Sequence, residues 1–150
     1  MFPDSMLLGD AREWLRNKLD KGAPCPCCGQ RAQQYRRKLN SGMARSLIAM
    51  YAIDAHGWIH VPTQIGARSR EEGKLAYWGL VEESAVPRDD GGRAGWWRLT
   101  DRGRRFALKQ LTVPSYALVY NNKVRGFDGP FVDISQTLGA KFSYDELMGR

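Results

Sequence analysis

The sequence predicts an α+β fold, on three observations. Two segments, about 10–20 and 41–54, carry apolar residues at helical spacing. Short runs rich in aromatic and β-branched residues, Trp58–Val61, Leu80–Val86 and Trp96–Leu99, lie between glycines and prolines, as strands do. Helical and strand-like segments alternate closely over 150 residues, the length of one ordinary domain.

The elements follow in order. A first helix runs from about Asp10 to Asp20. Asp10 and Glu13 stand three apart as a capping box, and Gly22 then Pro24 stop the helix. Leu7, Leu8, Ala11, Trp14, Leu15 and Leu19 make one apolar stripe, read as core. Residues 24–29 read as a turn, and a basic stretch follows: Arg31, Arg36, Arg37, Lys38 and Arg45, with no acid among them. Ser41 caps a second helix that reaches about Asp54, with Gly57 beyond it. Met43, Ala44, Leu47, Ile48, Met50 and Tyr51 give that helix a broad apolar face. Trp58–Val61 is a short strand closed by Pro62, and Thr63–Ala67 a short helix.

Ser69 and Glu72 form an S-x-x-E capping box for a helix over about Arg70 to Trp78, with Gly79 at its end and Leu75 and Trp78 facing the core. Leu80–Val86 and Trp96–Leu99 are two strands joined by a tip holding Gly91, Gly92 and Gly95. Trp96 and Trp97 face opposite ways if the strand is regular, so at most one is core-facing; the other is exposed beside the wing or, as the expected state, covered by the C-terminal hairpin. Thr100 caps a helix from Asp101 to about Leu111. Beyond Pro114, Tyr116–Tyr120 and Lys123–Phe127 form a hairpin across Asn121-Asn122, because asparagine tolerates the left-handed turn. Asp133 caps a short helix ending near Gly139, and Ser143 with Glu146 caps a last turn.

Two phrases in this order carry a resemblance. One is Leu75-Ala76-Tyr77-Trp78-Gly79-Leu80-Val81-Glu82; the other, past the glycine-rich tip, is Trp97-Arg98-Leu99-Thr100-Asp101-Arg102-Gly103. Residues 41–111 thereby resemble a winged helix-turn-helix domain of the MarR/PadR type. The chain as a whole is similar to small uncharacterised proteins of tailed bacteriophages, a likeness that brings no activity with it. The resemblance implies a winged helix-turn-helix over 41–112. An N-terminal helix, Cys-rich turn and basic segment (1–40) precede it, and a C-terminal β-hairpin with short helices (113–150) packs on it. It also implies that the third helix of the unit enters the DNA major groove. Arg68, Arg70, Lys74 and Tyr77 would then face DNA, Arg88 and Arg93 on the wing would reach phosphates or the minor groove, and Arg98 would extend the patch. The plainer alternative is a solvated helix face with ordinary Arg–Glu pairs.

Charge points the same way. The formal net charge is +7. Residues 1–40 hold 8 Lys/Arg against 4 Asp/Glu, residues 41–112 hold 11 against 8, and residues 113–150 hold 4 against 4. An anionic partner fits the first three quarters of the chain, and nucleic acid leads that class.

All three cysteines fall in Cys25-Pro26-Cys27-Cys28-Gly29. An odd, clustered set suits a reducing compartment or a metal better than a disulfide framework. C-P-x-C-G has the shape of a zinc knuckle, but one knuckle supplies two ligands where structural zinc takes four. His56 and His60 have H-x3-H spacing, so Cys25, Cys28, His56 and His60 are the candidate ligands of a structural zinc. The competing readings are a degenerate knuckle with free thiols and, less favoured, a site shared across a dimer.

The residues offer no catalytic signature: there is no G-x-x-x-x-G-K, G-x-S-x-G, H-E-x-x-H or G-x-G-x-x-G. No apolar run approaches the roughly 20 residues of a membrane span. The start is acidic before it is basic and has no small-residue cleavage site. These features predict a non-enzymatic cytoplasmic protein (host cytoplasm, if phage-encoded) without a membrane partner. The leading expectation is a double-stranded DNA-binding regulator of transcription, with a homodimer allowed. The alternative is a protein-interaction or inhibitory module that captures a host protein through the winged helix or the C-terminal extension.

Overall fold

The computed structural model describes residues 5–65, 71–85 and 95–149. It is a mixed α+β arrangement with antiparallel sheets. Helix α1 spans Leu8–Arg16, two residues earlier than the sequence predicts. Leu7 occupies the cap position and has no side-chain cap bond, so Asp10 sits inside the first turn, favoured there by the helix dipole, and starts no capping box. The stripe is core only in part. Ala11 and Leu19 are buried, whereas Leu7 and Leu8 are 71% and 54% exposed.

Strands β1 (Ala23–Pro24) and β2 (Arg31–Ala32) form a two-residue ladder around the cysteine turn. Strand β3 (Tyr35–Lys38) follows, exposed along its length. Helix α2 (Ser41–Ile53) starts after Asn40, whose side-chain oxygen accepts from the Met43 N–H at 2.9 Å. Asn40 rather than Ser41 is therefore the cap. Both residue types cap well, and the extended backbone at Asn40 decides between them. Met43, Ala44, Ser46, Leu47, Ile48 and Met50 are all buried on α2. At its end the Asp54 carboxylate accepts from the N–H groups of His56 and Gly57.

Strand β4 (Ile59–His60) leads into helix α3 (Val61–Gln64). Pro62 opens this helix instead of closing the strand, because a first-turn residue has no intrahelical N–H bond to lose. Helix α4 (Glu72–Leu75) continues into a single 3-10 turn, Ala76–Trp78, and the left-handed Gly79 (φ 71°) ends it. Ser69, the expected cap, lies outside the described residues. Strands β5 (Val81–Glu83) and β6 (Trp96–Leu99) pair antiparallel, and the tip residues 86–94 also lie outside the described set.

Helix α5 (Asp101–Ala107) is capped as predicted, the Thr100 hydroxyl accepting from the Gly103 N–H at 3.1 Å. That hydroxyl also donates to the Gly79 carbonyl at 2.6 Å, which ties the start of α5 to the end of the 3-10 turn. Gly103 is required for a second reason: a Cβ there would overlap the Leu80 carbonyl oxygen. The helix stops short of Leu111, with Lys109 at φ 63°.

Strands β7 (Val113–Tyr120) and β8 (Lys123–Val132) form the C-terminal hairpin, turning at Asn121 (φ 51°) and Asn122 (φ 61°). Pro114 lies inside β7 rather than before it, and its carbonyl accepts from the Trp78 indole N–H at 2.7 Å. Helix α6 (Ile134–Leu138) has a full Asp133/Gln136 capping box, and helix α7 (Tyr144–Leu147) is capped by Ser143.

The two three-stranded sheets have the orders β4-β6-β5 and β3-β7-β8. One apolar cluster joins them. It takes Leu47, Ile48 and Met50 from α2, Leu75, Trp78 and Leu80 around the 3-10 turn, and Phe106 from α5. Val113, Ala117 and Val119 come from β7, and Ile134 and Leu138 from α6. Each large side chain buried there contributes about 1.5–3 kcal/mol. Trp97 packs against this cluster, but Trp96 is 41% exposed beside His60 (5.0 Å between rings) and is not covered by the hairpin.

Candidate nucleic-acid interface and cysteine turn

The segment Glu72–Trp78 is fixed from below. Leu75 and Trp78 are buried, and the Trp78 indole is tied to β7. Lys74, one residue before Leu75, is thereby turned outward; its side chain is half exposed and meets Glu71 at 3.6 Å. Tyr77 has a different surrounding from the one the sequence predicts. Its hydroxyl donates to the Asn122 side-chain oxygen at 2.6 Å, so the tip of the β7–β8 hairpin braces this end of the helix. Lys74, Tyr77, Trp97 and Asn122 line an open cleft of about 610 Å³ between the helix, the base of β5–β6 and the hairpin tip.

Arg98 stands on β6 opposite Glu82, with which it pairs, and lies over the Trp58 ring at 4.4 Å. Of the residues expected to face DNA, Lys74 and Arg98 thus present cations at the surface, each matched to an acid. A phosphate that displaces Glu71 or Glu82 finds a partner already aimed outward. Arg68, Arg70, Arg88 and Arg93 lie outside the described residues. Arg102 and Arg104 use their guanidinium groups on the backbone carbonyls of Trp78 and Leu99.

Sequence reasoning missed a second cationic surface. Three residues of the basic stretch, Arg36, Arg37 and Lys38, lie exposed on β3, one edge strand of the larger sheet. Arg36 stacks over Tyr116 at 3.5 Å and meets Asp128 at 2.9 Å. The Gly129 N–H first, and then the Arg36 guanidinium, hold the Asp128 carboxyl below the usual carboxylate range. The register explains the pairing: Arg36 lies opposite Leu118, diagonal to Tyr116, which itself lies opposite Asp128.

The cysteine turn is closed by two backbone bonds. The Cys25 N–H donates to the Gln30 carbonyl at 2.7 Å, and the Gly29 N–H to the Cys25 carbonyl at 2.9 Å. Inside it, the Cys27 N–H donates to Cys25 Sγ at 3.4 Å. The Cys28 N–H chiefly, and then that of Cys27, pull the Cys25 thiol below its ordinary pKa.

The histidines are not brought to this turn. His60 sits on β4, its Nδ1 2.8 Å from the Thr63 hydroxyl. His56 lies just past α2, beside a cleft shared with Glu82, Arg98 and Asp101. A helix of 13 residues, about 20 Å long, separates the cysteines from both in the chain. Among the described residues no group of three or more His, Cys, Asp or Glu is placed to hold a metal ion. Among the described residues, too, no helix is long and apolar enough to cross a membrane.

No protein-family model matches the chain, and neither the curated proteins nor the solved structures contain a significant match to it.

Proposed function

We propose that the chain binds double-stranded DNA through a winged helix-turn-helix unit made of α2, β4, α3, α4 with its 3-10 turn, β5, β6 and α5, and that it serves as a small regulator of transcription. The observation that carries the reading is the order of these elements together with the sheet order β4-β6-β5, in which the last strand lies between the other two. In such a unit the segment ending at Trp78 enters the major groove, whose width of about 12 Å admits one α-helix. Lys74 then meets phosphate or guanine, and Arg70, two residues before Glu72 in the chain, reads base edges. Arg88 and Arg93, between β5 and β6 in the chain, contact backbone or minor groove, and Arg98 extends that surface.

The test is fluorescence anisotropy of the purified protein with random duplex DNA across salt concentrations. Binding with a log–log salt slope of several units supports phosphate neutralisation by the basic face. No binding at about 50 mM salt, where non-specific electrostatic association is strong, overturns it. A second reading, a protein-capturing module, is favoured by one observation: Phe127 and Phe131 are exposed on the edge strand β8.

A further inference from the structure

The turn Cys25–Gly29 holds two cysteines at C-x2-C spacing in a loop closed by backbone hydrogen bonds. It closes a two-residue ladder in which Ala23 faces Ala32 and Pro24 faces Arg31. Gly29 takes φ 76°, the left-handed conformation that lets the chain turn back after Cys28. The Cys27 N–H is aimed at Cys25 Sγ, at 3.4 Å. Reversing the chain does not need this bond, since any accepting side chain or water would satisfy that N–H.

The turn is open to the outside. Cys27 and Cys28 are exposed and Cys25 is partly so, and all three are free thiols. As a metal site it is also incomplete: among the described residues no group of three or more His, Cys, Asp or Glu is placed to hold a metal ion. Zinc takes four ligands in a tetrahedron, with Zn–S bonds of about 2.3 Å, and the C-x2-C spacing of Cys25 and Cys28 is the one that turns two thiolates toward one ion.

We propose that one zinc ion joins two copies of this chain, held by Cys25 and Cys28 of each copy. Four Zn–S bonds form, four thiol protons leave to solvent, and nothing is oxidised or reduced. Four thiolates around one Zn²⁺ leave two negative charges. Lys21 and Arg31 flank the turn in each copy, so the cluster offsets the repulsion that two basic tips would otherwise feel. Cys27 takes no part as a ligand; it contributes its N–H.

The experiment is metal content and native mass of the full chain, purified under reducing conditions with zinc present. The expected result is one zinc per two chains in a dimer that chelation converts to monomers. Cys25→Ser and Cys28→Ser lose zinc and dimer together, while Cys27→Ser keeps both. Cobalt(II) in place of zinc gives the absorption of a tetrahedral four-thiolate site. Far-UV circular dichroism of each variant checks that the fold is intact. A chain without zinc, a monomer holding one zinc, a dimer that survives chelation, or a Cys27→Ser variant as defective as the other two would each overturn the proposal. No DNA is present, so the outcome is independent of the DNA-binding reading.

Discussion

The two three-stranded sheets close by different routes. In the smaller one, β4, β6 and β5 come from residues 59–99, next to the helices they pack on. In the larger one, β3 pairs with β7 across the whole intervening unit, Lys38 facing Tyr116 and Tyr35 facing Val119. The first sheet could form early from nearby contacts; the second forms only once its two ends are carried together. Yet both bury side chains in one core, where Val113, Ala117, Ile134 and Leu138 pack with Leu47 and Phe106. The C-terminal segment is therefore structural support for the 41–111 unit as well as a surface of its own.

The largest effect comes from removing that support. Truncation after residue 112 takes five buried apolar side chains out of the core, Val113, Ala117, Val119, Ile134 and Leu138, and removes the Trp78 indole partner. The truncated chain is expected to lose its cooperative thermal transition; a transition near that of the full chain would show the two regions to be independent. Single cavities come next. Ile134→Ala and Phe106→Ala sit on opposite sides of the comparison and are both fully buried. Each should cost about 2–5 kcal/mol in urea unfolding. A loss below about 1 kcal/mol for Ile134→Ala alone would place α6 outside the cooperative core.

Gly103→Ala is a narrower probe, confined to the smaller sheet. The added methyl meets the Leu80 carbonyl, so α5 must shift, at a cost of about 1–3 kcal/mol. A variant as stable as the parent would contradict the close approach of α5 to Leu80. The smallest effect belongs to the larger sheet and depends on pH. Asp128 has its folded pKa lowered from the ordinary 3.8, by the Gly129 N–H and by Arg36. Its contribution is thus present above about 3.8 and is lost as pH falls through the lower folded value. NMR titration should show the Asp128 carboxyl below the ordinary value and Arg36→Ala moving it upward only in part, since the Gly129 bond remains.

The comparison also explains what the sequence made legible. Thr100, Asp133 and Ser143 cap the helices they were expected to cap, and Asn121-Asn122 makes the hairpin turn, because these signals act within three or four residues. Strand β3 was not legible. Tyr35-Arg36-Arg37-Lys38 shows no alternation, since both of its faces are exposed, and its pairing is supplied by backbone bonds to a strand far along the chain. The bracing of Tyr77 by Asn122 escaped for the same reason. At the cysteine turn the spacing placed two thiols as candidate ligands, but H-x3-H spacing carries no information on tertiary placement, and among the described residues the histidines form no metal-holding group with those thiols.

The most direct measurement compares the duplex-DNA salt slope of the parent with those of two double variants. Lys74→Ala with Arg93→Ala removes cations of the 41–111 unit; Arg37→Ala with Lys38→Ala removes as many from β3. The account predicts that the first pair lowers the slope by roughly one unit per lost phosphate contact and weakens binding. It predicts that the second pair leaves the slope at the parent value. Equal losses from both pairs, or a slope unchanged by the first, would contradict binding through the 41–111 unit.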